Sequence, residues 1–230
     1  VAELLRRKLG PRTVSEVALY ILLRIARQGE VTIDEEKLAK LLFFAIYTEP
    51  GPDGRPVLRE NPPRLSPEME FRIYLHGPYI RAKKLIDSMN KLVKRLLGSS
   101  NIKGVIEFEG RALITSLLRE NLDTLTEILR AILSEKMTRI YGPRYLNQLD
   151  EWVIGRLSTL DTNELTKLSL KTLYLETSGK PIRKAMVINM RLDDYIEILR
   201  KLKKIHEDYV AGRLRPDYDI EDIEEVLAED

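Results

Sequence analysis

From Tyr79 to Leu97 the chain sorts its residues by helical phase, and this constrains the fold more than any other feature. At about 100° per residue, Ala82, Leu85, Ile86, Met89, Leu92, Val93, Leu96 and Leu97 fall in one half of the wheel. Arg81, Lys83, Lys84, Asp87, Ser88, Asn90, Lys91, Lys94 and Arg95 fill the other. Such a segment must lie as a surface helix with one flank on a core and the other in water. The spacing predicts it over 79–97, entered through His76-Gly77-Pro78-Tyr79 with proline near its first turn and ended by Gly98-Ser99-Ser100-Asn101.

The elements around it follow from the same rules. Val14, Val17, Ala18, Ile21, Leu22 and Ile25 recur at helical spacing, with Thr13 or Ser15 as the cap and Gln28-Gly29 as the stop. Val31-Thr32-Ile33 is β-prone. Asp34 then caps a helix whose Leu38, Leu41, Leu42, Ala45 and Ile46, widened by Phe43 and Phe44, predict burial nearly all round. Residues 49–67 hold Pro50, Pro52, Pro56, Pro62, Pro63 and Pro67 with Gly51 and Gly54, which predicts a long surface loop. Phe71, Ile73 and Leu75 alternate as in a strand, and Gly104 to Gly110, with Val105, Ile106 and Phe108, reads as a β-arm. Beyond Gly110 only helices are expected, at about 111–137, 145–158, 162–176 and 192–210, separated by Gly142-Pro143, Asp161 and Ser178-Gly179-Lys180-Pro181. Leu118, Leu122, Leu125, Leu129 and Ile132 step by four and three, and over so short a length they read as a core face rather than a dimer zipper.

These elements predict a mainly α fold with a small β component. A winged-helix-like domain over 1–110 contains the Pro-rich loop at 49–67, a helical region follows over 111–212, and an acidic tail closes the chain over 213–230. The tail carries eight acids from Asp217 to Asp230 and no base, so residues 1–216 hold 28 acids against all 38 bases, a net +10. A positive body suits a polyanion or an acidic partner, and the tail serves solvation or competition for that surface.

Composition removes several chemistries. With no cysteine, disulfides, thiolate zinc sites, iron–sulfur clusters and cysteine nucleophiles are excluded, and two histidines, His76 and His206, cannot build a histidine-rich metal site. The apolar runs are shorter than a membrane span, and Glu3, Arg6, Arg7 and Lys8 stand where a signal peptide would be apolar, so a cytoplasmic protein without a membrane partner is expected. Dense charge, glutamine only at Gln28 and Gln148 and the missing thiol match an archaeal-like thermophile composition.

Leu38-Ala39-Lys40-Leu41-Leu42-Phe43-Phe44, followed by Phe71-Arg72-Ile73-Tyr74-Leu75-His76-Gly77-Pro78-Tyr79, resembles a diffuse prokaryotic winged-helix-like group related to SocA-like (Panacea) antitoxin domains. That group carries a K-L-x-K-L-L-F helix and an F-Y-x-Y-G-P-Y-S turn. The likeness covers about residues 14–110. Here His76 replaces the aromatic before Gly-Pro, and Ile80 stands where a serine cap is usual. The resemblance implies a regulatory or antitoxin-like role rather than catalysis.

The expected function is that of a DNA-binding regulatory protein using the 79–97 helix. Tyr79, Arg81, Lys84 and Ser88 would approach bases, Lys91, Lys94 and Arg95 would meet phosphates, and Lys83 belongs to the same nucleic-acid-binding set. The alternative is a protein-interaction module, such as an antitoxin, an adaptor or a subunit of a larger complex, with a homodimer among its forms. No cofactor and no enzyme activity are expected. Asp193-Asp194, Glu35-Glu36 and Glu224-Glu225 are adjacent pairs that diverge on a helix, and His76 in its turn is either a general base or a histidine bonded to backbone. Trp152, Tyr141, Tyr145 and Tyr174 are expected to pack.

Overall fold

The computed structural model describes residues 8–27, 32–98, 106–108, 111–114, 121–177, 180–181 and 189–213. The acidic tail beyond Arg213, Leu118, the tip of the β-arm and Ser178-Gly179 lie outside them. The protein is mainly helical with small sheets, and it divides into two units, Val1–Leu192 and Asp193–Asp230.

Helix α1 (Pro11–Arg27) is the centre of the first unit, with Val14, Val17, Leu19, Tyr20, Ile21 and Leu23 fully buried. The predicted cap is displaced. Pro11 opens the helix, so Ser15 lies inside it and bonds the Pro11 carbonyl at 2.9 Å. Helix α2 (Glu35–Tyr47) is buried from Leu38 to Tyr47, as its all-round apolar pattern requires, and Asp34 caps it by accepting from Glu36 N at 2.9 Å. Phe43, Phe44, Tyr47 and Phe71 form one aromatic cluster with centroids 5.2–6.4 Å apart.

Strand β1 (Lys8–Leu9) opens the described chain, and β2 (Thr32–Asp34) enters α2. The Pro-rich segment is not a free loop. It contains β3 (Thr48–Pro50), β4 (Pro56–Leu58), β5 (Arg64–Leu65) and a 3-10 turn (Pro67–Met69), with β3 antiparallel to β4 and β5 parallel to β1. Its prolines are accommodated because these sheets have only two strands, where an edge needs no further N–H donor. The segment is also tied down: the Trp152 indole donates to the Gly54 carbonyl at 3.2 Å, and Arg59 pairs with Glu49 at 3.0 Å while lying 4.5 Å over the Tyr141 ring.

Strands β6 (Phe71–Tyr74) and β7 (Gly77–Ile80) form a hairpin, so the predicted helix start at Tyr79 is a strand instead. Helix α3 runs Ala82–Leu96. Strands β8 (Ile106–Phe108) and β9 (Arg111–Ile114) follow, with β9 between β2 and β8 and antiparallel to both. Helix α1, strand β2, helices α2 and α3 and the β8–β9 arm follow one another along the chain, with β9 paired back on β2. Residues 48–81 intervene between α2 and α3, and 111–114 is extended rather than helical.

Helix α4 (Leu122–Tyr141) packs against α1 through Leu125, Leu129, Leu133 and Met137, so segments on either side of residue 110 share one core. The arm strand β9 also spans that position. Helix α5 (Tyr145–Gln148) continues into a wide i→i+5 turn (Leu149–Ile154) closed by Gly155 N to Asp150 O at 2.9 Å. A 3-10 turn (Leu157–Thr159) leads to α6 (Thr162–Thr172), held by a capping box between Asp161 and Glu164. Strands β10 (Glu176–Thr177) and β11 (Lys180–Pro181) pair, and β12 (Met190–Arg191) adds to the edge of β6. Tyr174 is not a packing residue; it is exposed with φ 56°, at the end of the turn after α6.

In the second unit the described element is α7 (Leu192–Val210), which carries i,i+4 ion pairs from Lys201 to Glu197 and from Lys203 to Glu207.

Candidate nucleic-acid interface

The site is built on α3. Ala82, Leu85, Met89, Leu92 and Val93 are buried, which fixes the rotation of the helix and turns the opposite flank to water. On that flank Arg81, Lys83, Lys84, Lys91 and Arg95 are exposed, together with Asp87, while Lys94 is half-buried. Lys84, Asp87, Lys91 and Arg95 follow one line along the axis, since they recur at intervals of three and four. Among the described residues, none of the six cations has an ion-pair partner on the protein.

Two predicted contact residues are turned to other work. Tyr79 sits on β7, half-buried, and its hydroxyl donates to the Glu35 carboxylate; burial first, and then that carboxylate, push its pKa up to about 12. Ser88 bonds Ser15 of α1 across 2.7 Å, because its position on the wheel is the boundary of the α1–α3 contact. Tyr79 and Ser88 are therefore structural, and the candidate surface keeps Arg81, Lys83, Lys84, Lys91, Lys94 and Arg95.

Asn90 has a role that phase alone did not show. Its amide donates to the Ile106 carbonyl at 3.1 Å and accepts from Ile106 N at 2.9 Å, so it docks β8 to α3 as a further strand would. The available signal was an asparagine among strong helix formers, at the edge of the polar half.

The entry to α3 is held from behind. Lys40 of α2 is 1% exposed and donates to the carbonyls of His76 and, at 3.0 Å, Pro78. Burial lowers its pKa to about 8 against the opposing pull of Glu36, 3.6 Å away. Gly77 has φ +84°, and a Cβ there would stand 2.8 Å from Ser169 Oγ on α6, so the turn is clasped between α2 and α6 and any side chain at this position is strained. The His76 side chain is exposed; the interior uses its carbonyl.

A cleft of about 100 Å³ beside the start of α3, lined by Glu70, Arg72, Tyr74, Tyr79, Arg81 and Lys84, is well below the roughly 300–1,000 Å³ of small-molecule sites. Glu70 in that cleft is engaged by Arg72 and Arg191, each at 2.8 Å. Among the described residues no cluster of three or more acids or histidines is placed to hold a metal ion, and no helix is long and apolar enough to cross a membrane.

No family model matches the chain, and no solved structure does. Among curated proteins, 101 residues are 29% identical to the chloroplastic chaperone protein ClpC1 of Oryza sativa subsp. japonica. The match covers 43% of this chain and spans only 11% of that protein, so it shows no family.

Proposed function

We propose that this protein is a DNA-binding regulatory protein that docks the exposed flank of α3 on double-stranded DNA. The observation that carries this is a helix of 15 residues whose four exposed cations and half-buried Lys94, with the exposed Arg81 just before it, face water without ion-pair partners among the described residues. Arg81, Lys83 and Lys84, at its start, take the positions nearest base edges, and Lys91, Lys94 and Arg95 those of phosphate contacts. The β8–β9 arm, fixed to α3 by Asn90, supports the same reading, as does the resemblance to regulatory winged-helix-like proteins. A net charge of +10 over residues 1–216 favours encounter with a polyanion. A cytoplasmic location fits this role.

The test is fluorescence anisotropy of a random-sequence duplex titrated with the full chain at stepped salt. Binding that weakens steeply with salt is expected, with a log–log slope of about −0.9 per phosphate neutralised. No binding at low ionic strength sinks the proposal. A protein-interaction role has one specific observation in its favour, the exposed Ile198, Leu202, Ile205 and Tyr209 spaced by four, three and four residues on α7.

A further inference from the structure

Helix α7 exposes Ile198, Leu202, Ile205 and Tyr209 to 43%, 56%, 54% and 65%. Their spacing of four, three and four residues is that of the a and d positions of a heptad seam. Between them the helix is rich in charge, so these four apolar side chains stand as one line, with Val210, 71% exposed at the last residue of the helix, off it, and such a line calls for a cover.

The charges beside the seam select the cover. Lys201 and Asp208 immediately precede Leu202 and Tyr209, and so lie on the same flank. If a second α7 packs antiparallel with Leu202 against Ile205 of the other copy, Ile198 meets Tyr209, and all four exposed residues are used in four layers. In that register each Lys201 lies beside Asp208 of the other copy, twice by symmetry. A slide of one heptad sets Lys201 against Lys201 and Asp194 against Asp208; the opposite slide sets Asp208 against Asp208 and keeps fewer layers. A parallel pair offers Asp208 only Arg213, which it already holds within its own chain at 2.8 Å, and puts Lys201 beside His206. The partner Lys201 has in its own chain, Glu197, stands 3.9 Å away, at the limit of an ion pair.

We propose that α7 is a self-association seam on which a second copy of this chain docks antiparallel, with its two-fold axis between Lys203 and Lys204. The seam is self-complementary in both its apolar layers and its flanking charges. With four layers it belongs to the small end of protein interfaces, and it forms by mass action.

The test uses the full chain, which has no native cysteine to interfere. Leu202→Cys and Ile205→Cys proteins, mixed and mildly oxidised, are expected to form the mixed disulfide ahead of either self-crosslink. In sedimentation equilibrium, Lys201→Asp alone and Asp208→Lys alone each weaken dimerisation by about tenfold, through two lost attractions and two new repulsions. An equimolar mixture of the two restores it, because each copy then supplies the charge the other needs. A chain that stays monomeric up to on the order of 100 µM, as it would with its own residues 214–230 on the seam, overturns the proposal. So does self-crosslinking of each cysteine variant ahead of the mixed product, or a mixture that dimerises no better than its components.

Discussion

Lys40 on α2 and Lys91 on α3 are the same residue type on successive helices, and they have opposite uses. Lys40 is 1% exposed, spends its ammonium on the carbonyls of His76 and Pro78, and has its pKa lowered by burial. Lys91 is exposed and, among the described residues, has no ion-pair partner. The first charge is part of the scaffold and the second is available to an outside anion. A cation count therefore says little about binding until burial has sorted the cations, since a buried ammonium must be satisfied internally and an exposed one is free to exchange its counterions.

Substitutions that separate stability from binding test this contrast. The largest stability effect is expected at Lys40. Lys40→Met leaves the buried Pro78 carbonyl and the partly buried His76 carbonyl without their donor and should cost about 3 kcal/mol in chemical denaturation. It should also change the pH profile. Because the folded pKa of Lys40 is depressed, the unfolded chain binds more protons between about 8 and the ordinary lysine value of about 10.4, so this group adds stability as pH rises through that window. The Met variant should lack that rise, and an identical profile in both proteins would remove Lys40 from the buried class.

Gly77→Ala comes next, at about 2 kcal/mol, from a Cβ at φ +84° set against Ser169 Oγ. Its companion Ser169→Ala/Gly77→Ala should recover the steric part and keep the conformational part, which thermal melts can resolve.

The smallest stability effect belongs to α3. Lys91→Ala and Arg95→Ala should each stay within about 0.5 kcal/mol of the parent, while each lowers the salt slope of duplex binding by about 1. A large loss of stability at either residue would break the contrast from its other side.

Much of the frame was legible from phase. The burial of α2 from Leu38 to Tyr47, the Asp34 cap and the limits of α7 follow from apolar spacing and cap chemistry, which are local. The Pro-rich segment was harder, because proline forbids a central strand but not an edge, and only the partner strand shows which one is present. A wheel gives direction without neighbours, so it assigns Ser88 to the free surface, whereas Ser15, distant in sequence, claims it, as Glu35 claims Tyr79. Asn90 was hidden for the same reason, since its partner is the backbone of Ile106 in another element.

The order of residues by itself determined a mainly helical chain, a two-sided segment over 79–97 with six bases on one flank, and the exclusion of thiol chemistry, because each rests on local spacing or on which atoms are present. The tertiary structure decided which charges are spent inside and which remain outside, that β9 closes on β2, and that the Pro-rich segment is bound to the body. Those outcomes depend on pairings between residues far apart in the chain, and no local periodicity encodes the identity of a distant partner.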